Sequence, residues 1–352
     1  MSLQTVHQAH GAILAQDGIP LHYGDLTKEY DAALSAAILL DRSHEGRVQV
    51  FGNSRFEILN RMSTNKMVDM QSDEGRATIF ITANARIIDR VVAYNRDDHL
   101  LILTEPGRNV WLRDFLQKNI FFGDDARVVD ITSQTQVLGL HGEKADVILQ
   151  ACGIRVDEVS ALHGISATIA DATIYAVRRK EVIGNHWQIM VNTANAATVY
   201  ETIFEAGQKH GLVPAGGLTY NTLRIRAGRP ARPELNQDYI PLEIGLWDEV
   251  SFAKGCYTGQ EIIARMESRG KLAKTIVALD LPQLVNAPAE ITLNRSTIGK
   301  LTSSVQAPDG EIFALAVIKT QAITPGTTVM IGDIQASVKN LIGSQPDFIN
   351  PT

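Results

Sequence analysis

Cysteine is scarce in this chain: Cys152 and Cys256 are spread over 352 residues. Two cysteines make no disulfide framework, and such a chain is expected in a reducing compartment, the cytoplasm. CxxC pairs and HExxH are absent, and the nine histidines are scattered. His7 and His10, spaced i, i+3, read as terminal and solvated, so no zinc site is expected. Neither GxxxxGK[ST] nor GxGxxG occurs, which argues against a nucleotide-phosphate loop, and no GxSxG elbow is found. There is no uninterrupted apolar run of about 18 residues, so no spanning helix and no membrane partner are expected. The opening stretch has no Lys or Arg before its short apolar patch and does not read as a targeting peptide. Charge of either sign is modest: 33 Lys and Arg against 39 Asp and Glu leave a formal −6. That balance gives no global attraction to nucleic acid, and an anionic ligand would need a local basic patch.

What is present suits a packed interior, with 45% hydrophobic residues. The length fits two or three domains at about 150 residues each. Residues 47–51 (RVQVF) alternate like a half-buried strand, Asn53 is an N-cap candidate, and Phe56, Leu59 and Met62 follow at helical spacing. Residues 76–104 read as a three-strand meander with short polar turns. An amphipathic helix over 107–119 comes next. The same grammar then returns: strand 136–140, helix 143–151, strands near 173–178 and 186–191, and helix 195–209 capped by Gly211. These are two α+β modules with antiparallel sheets rather than a doubly wound fold. After 272 five short alternating runs (TIVALDL, STIGKLTS, EIFALAVIKT, TTVMI, IQASVKNL) are joined by Pro/Gly turns, as in a small barrel. The last ten residues read as a loose or draped tail.

The most informative segment is 254–261, Lys-Gly-Cys-Tyr-Thr-Gly-Gln-Glu. Glycines on both sides of Cys256 permit a tight turn. Such a turn can gather N–H groups into a nest, and Lys254 is close in sequence; both favour a thiolate. The alternative is an inert structural cysteine. The segment matches K-G-C-[FY]-x-G-Q-E, and on it the chain resembles the YgfZ-type family. In the related aminomethyltransferases the loop looks like K-G-[DP]-F-I-G, without the cysteine.

The wider resemblance, to the glycine-cleavage T-protein superfamily, covers nearly the whole chain. Leu40 to Gly46 is similar to its "FDVSHMG" turn, and Val48 to Gly52 to its "I-x-V-x-G" strand. Thr64-Asn65 resembles "TTND", and Leu140-His141-Gly142 stands for "LQGP". Leu223 to Gly228 resembles "LRLEAG", Pro241 to Leu246 is similar to "PxEAGL", and 298–331 has the look of the C-terminal barrel. The resemblance implies an aminomethyltransferase-like fold: a three-domain cloverleaf around a central channel that holds tetrahydrofolate or a derivative. Its expected domains are 1–50 together with 135–271 as the folate-binding module, 51–134 as the second, 272–344 as the barrel, and 345–352 as the tail.

It also implies site residues. The pterin-holding glutamate of "G-F-E-I" corresponds to Gln188, which accepts an N–H but carries no charge; the alternative is an ordinary strand residue. Arg224 matches the superfamily arginine and suits a folate carboxylate. Arg226, Arg229, Arg232, Arg265 and Arg269 are further cations nearby in sequence. Lys254 and Tyr257 flank Cys256 as binding candidates. The acids of "GG-x-x-DD" are reduced to Asp89, followed by Arg90, with both glycines gone; Asp89 otherwise pairs with Arg86 or Arg90 on a strand surface. Three functions remain open. One is a tetrahydrofolate-binding accessory to iron–sulfur proteins or their assembly machinery, with Cys256 reactive. Another is an aminomethyltransferase or related one-carbon transferase using Asp89. The last is a folate-independent scaffold.

Overall fold

The computed structural model describes residues 2–349. They divide into two compact units. One comprises the chain up to Ile58, Asp69–Arg76 and Val92–Leu223; the other comprises Leu59–Val68, Ala77–Val91 and the chain from Arg224 onward.

The first unit is built on a six-stranded sheet. Its order is Gly164–Ile169, Ala172–Arg178, Asn185–Asn192, Thr135–Gly142, Ala37–Asp41, Leu212–Ala215. Every pairing is antiparallel except the last, where Leu212–Ala215 runs parallel to Ala37–Leu40. The expectation of purely antiparallel sheets is corrected on this point. The cause is helix Ala196–Gln208, which carries the chain back across the sheet after Asn185–Asn192, so the next strand starts from the same end. That helix buries Val199, Tyr200 and Ile203, and helix Ala145–Ala151 adds Ile148 and Leu149, over Leu138, Leu140, Trp187 and Ile189. Each such aliphatic contributes about 1.5–3 kcal/mol by burial. The helix ends at Lys209, and Gly211 takes the left-handed φ of +79° just beyond.

Two-residue alternation along Asn185–Asn192 sorts its side chains. Trp187 reaches the helical layer, where its Nε1 donates to Asp146 Oδ1 at 2.7 Å. Gln188 points to the other face, towards Glu45. A second set of strands in this unit has Glu45–Phe51 between His99–Pro106 and Arg127–Asp130. The expected meander appears as Gly75–Ile81, Ile87–Arg96 and His99–Pro106, the first two strands passing from one unit into the other. His7, expected to be solvated, is fully buried. Helix Leu3–Ala9 docks through Leu3 and Val6, and carries His7 into hydrogen bonds with Asp41 Oδ2 (3.0 Å) and Tyr23 Oη (2.7 Å).

The second unit contains a closed six-stranded barrel in the order Lys274–Asp280, Ile312–Lys319, Ser296–Gln306, Ala289–Leu293, Thr328–Ile331, Ile334–Leu341. Five of these strands are legible as alternating runs. The sixth, Ala289–Leu293, holds one fully buried residue, Ile291, so its pattern is too faint to read. Val277, Leu301, Ala316, Ile318, Val329 and Val338 are buried in the core cluster of this unit. The tail is not loose as far as it is described: Ile349 joins this cluster, and Phe348 meets Trp247 edge-on at 5.6 Å between centroids. Residues 350–352 of the expected tail lie outside the described residues.

Candidate functional site

In the first unit the turn after Asp41 brings a charged cluster to Gln188. Arg42 donates through Nε and Nη2 to Glu45 Oε1 at 2.9 and 2.6 Å, and its guanidinium lies 3.9 Å from the centre of the Tyr220 ring. Gln188 Nε2 donates to Glu45 Oε2 at 2.6 Å. A carboxylate only accepts, so the amide nitrogen must face it and the amide oxygen must turn away. That oxygen, Gln188 Oε1, is buried with no hydrogen-bond partner. Burial alone would raise the Glu45 carboxyl, but Arg42, His44 and Arg179 outweigh it and hold it at about 2. His44 is pushed down by burial and by Arg42, and its Nδ1 is also buried without a partner. The result is an anionic acceptor and a neutral acceptor side by side in a water-poor place. An unmatched buried carbonyl costs roughly 1–3 kcal/mol, which a ligand N–H would recover.

In the second unit Lys254, Cys256 and Tyr257 share one loop. Lys254 Nζ donates to the backbone oxygens of Asn60, Ser63 and Asn65 at 2.5, 2.6 and 2.7 Å. These carbonyls lie at and just beyond the end of helix Arg55–Met62, where cations are favoured. Burial pushes the ammonium down to about 7. Three carbonyl acceptors act in the opposite sense, and using all three N–H groups requires the protonated amine. Lys254 therefore pins the loop, with its charge turned to the carbonyl cage. Its Nζ also lies 4.9 Å from the Tyr257 ring centre. Burial raises the Tyr257 hydroxyl to about 12, and the Tyr257 amide donates to Gln260 Oε1 at 3.1 Å.

Cys256 is exposed and free. The other cysteine, Cys152, is half-buried at the end of helix Ala145–Ala151, and burial pushes its thiol up to about 11. The glycines flanking Cys256 differ. Gly259 has φ +83°, and a Cβ there would stand 2.6 Å from the Thr82 carbonyl oxygen; at Gly255 a Cβ would meet nothing within 4 Å. Only Gly259 is sterically required, and it opens helix Gln260–Arg269. Arg265 and Arg269 lie exposed on that helix.

Asp89 is buried on strand Ile87–Arg96, and its Oδ1 accepts from the Arg90 amide at 3.0 Å. Arg90 forks onto Glu249, with Nε to Oε2 at 2.7 Å. The surface placement considered for Asp89 does not occur. Arg224 is buried too: it donates to Glu234 Oε2 (3.1 Å) and Ser303 Oγ (2.9 Å), and Ser303 donates to Glu234 Oε1 (2.7 Å). This triangle ties it to barrel strand Ser296–Gln306.

The profile of the GCVT N-terminal domain matches residues 3–254. The chain belongs to the GCVT family. This family member is 30% identical over 335 residues to a putative chloroplastic transferase of Arabidopsis thaliana, over 94% of the chain and 76% of the relative. It is 26% identical over 347 residues to the aminomethyltransferase of Bacillus subtilis, over 94% and 92%. The crystal structure of glycine cleavage system aminomethyltransferase T from Bartonella henselae aligns with TM-score 0.85 over 96% of this chain and 95% of that one. At 20% identity that likeness shows the fold: aminomethyltransferase-like, mixed α/β, with the closed barrel at the C-terminal end. No helix among the described residues is long and apolar enough to cross a membrane.

Sequence reasoning about this GCVT-family chain passed over Glu45 and Arg42. The signal was available: Ser43-His44-Glu45-Gly46 has an acid where the superfamily turn "SHMG" has methionine. Strands distant in sequence had to meet before that acid stood beside Gln188.

Proposed function

We propose that this GCVT-family protein binds tetrahydrofolate or a derivative and serves iron–sulfur cluster assembly or repair, with Cys256 as its reactive group, like the YgfZ-type branch it resembles. The observation that carries the folate part is the buried, unpartnered Gln188 oxygen beside the Glu45 carboxylate. A pterin presents adjacent N–H donors along one edge, and a carboxylate next to a neutral acceptor suits that edge. The negative charge missing at 188, relative to the aminomethyltransferase pattern, is present at 45. Gln188 and Glu45 would hold the ring; bound reduced folate supplies nitrogens that carry one-carbon units.

The accessory role is supported by Cys256, exposed on a loop pinned by Lys254 and shaped by Gly259. One thiolate does not hold a cluster alone, because clusters generally take four ligands. The remaining ligands come from a partner iron–sulfur protein, its assembly machinery, or a small thiol. Calorimetry with tetrahydrofolate tests the first half: saturable binding, weakened in Gln188→Leu, is expected. Absence of both heat and a thermal shift at millimolar folate would sink it. In cells lacking the protein, iron–sulfur enzyme activity should return with wild type and not with Cys256→Ala.

A second reading, aminomethyl transfer, is favoured by the retained, buried Asp89 and by relatives named aminomethyltransferases. Incubation with an aminomethylated lipoyl carrier and tetrahydrofolate separates the two. Methylene-tetrahydrofolate formation, lost in Asp89→Asn, would establish the transferase.

A further inference from the structure

Five arginines are buried among the described residues: Arg42, Arg47, Arg90, Arg179 and Arg224. Four of them have matched partners. Arg42 is forked on Glu45, Arg90 on Glu249, and Arg224 is paired with Glu234. Arg47 reaches the backbone oxygens of Ser43, Glu45, Thr132 and Thr135 and the Thr135 hydroxyl. Arg179 is the exception. It is 8% exposed, it has no carboxylate at ion-pair distance among the described residues, and its hydrogen bond, Nη1 to Tyr94 Oη, is 3.5 Å long. A guanidinium has five N–H donors, so most of this one's are unused.

Arg179 lines a cavity of about 580 Å³ at the turn between strands Ala172–Arg178 and Asn185–Asn192. That volume suits a small molecule. Arg178, Lys180, Glu181, Asn185 and His186 also line it. Arg178 is already matched, to Asp146 at 2.8 Å and Asn185 Oδ1 at 3.1 Å. Lys180 and Glu181 are exposed and of opposite sign. The Glu45 carboxyl feels the Arg179 charge, but Glu45 already carries the Arg42 fork and the Gln188 amide. A largely buried guanidinium with no carboxylate at ion-pair distance keeps unused donors, and an anion entering the cavity can engage them.

We propose that this cavity binds a small molecule through a carboxylate or phosphate group, with Arg179 as the recognising cation. The acceptor takes the free fork of the guanidinium, for which two oxygens on one atom are the matching geometry. Lys180 at the rim adds a steering charge.

The test uses the full chain at constant ionic strength, titrated with inorganic phosphate and separately with glutarate, read by calorimetry and thermal shift. Wild type should bind at least one of them saturably at millimolar concentration, and Arg179→Met should weaken that binding by about tenfold or more. A response to phosphate alone marks a phosphate-bearing ligand, and a response to glutarate alone a carboxylate. Without anion, Arg179→Met should melt no lower than wild type, because it removes a largely buried cation that has no carboxylate at ion-pair distance. Three results overturn the proposal: no saturable response to either anion, equal affinity in Arg179→Met, or an unliganded Arg179→Met that melts well below wild type.

Discussion

Replacing Glu45 by Gln should remove about 3 kcal/mol of folding stability at neutral pH. The carboxyl titrates at about 2 in the fold, against an ordinary value of 4.5. At roughly 1.4 kcal/mol per pH unit, that difference corresponds to about 3 kcal/mol. Breaking a buried ion pair by removing one partner gives the same order, about 3–5 kcal/mol. The source is Arg42, which would keep its buried guanidinium against a neutral amide. The sign follows from the direction of the shift: a carboxyl depressed in the fold contributes fully above about pH 4.5, and the contribution disappears as pH falls through about 2. By about pH 3 roughly half of it should be gone. Urea unfolding of wild type and Glu45→Gln at neutral pH and at about pH 3 gives both numbers. A neutral-pH difference below about 1 kcal/mol, or one that does not shrink in acid, would refute the reasoning, since either means that the carboxylate is not held by the cations around it.

Gly259→Ala should destabilise by about 2 kcal/mol or more, from the left-handed backbone and the close Thr82 oxygen, while Gly255→Ala should change stability by about 0.5 kcal/mol or less. Equal effects of the two in thermal unfolding would contradict the steric assignment. Brief treatment of the native protein with a maleimide should add one label, at Cys256, leaving the half-buried Cys152 to react only after unfolding. Intact-mass analysis showing two labels in the native state would count against it. Lys254→Met should strand three carbonyl oxygens, cost about 2–4 kcal/mol and speed hydrogen exchange across residues 254–261. Unchanged exchange there would show that the lysine does not anchor the loop.

Much of the fold is legible in local pattern. The meander of 76–104, the helices near 107–119 and 195–209, and five of the six barrel strands follow from alternation, helical spacing and turn residues, because those signals are written within ten or fifteen residues. The missed features are those with no local signature. Strand Ala289–Leu293 is held by its neighbours in the closed barrel. The parallel pairing of Leu212–Ala215 with Ala37–Leu40 comes from a helix crossing the sheet. His7 looks like a solvated terminal residue until Leu3 and Val6 dock the first helix.

The candidate site divides along the same line. Residue type and order along the chain were enough to single out Cys256 and its loop, because KGCYTGQE is contiguous and its exposure depends on a turn of eight residues. Position 188 was singled out only by the resemblance to the aminomethyltransferase pattern. Charge is different, because it acts through space. Whether an arginine is a ligand hook or a strut depends on which carboxylate the fold brings to it. Tertiary structure alone committed Arg224 to Glu234, set Glu45 against Gln188 across more than a hundred residues of chain, and buried Arg179 with most of its donors unmatched.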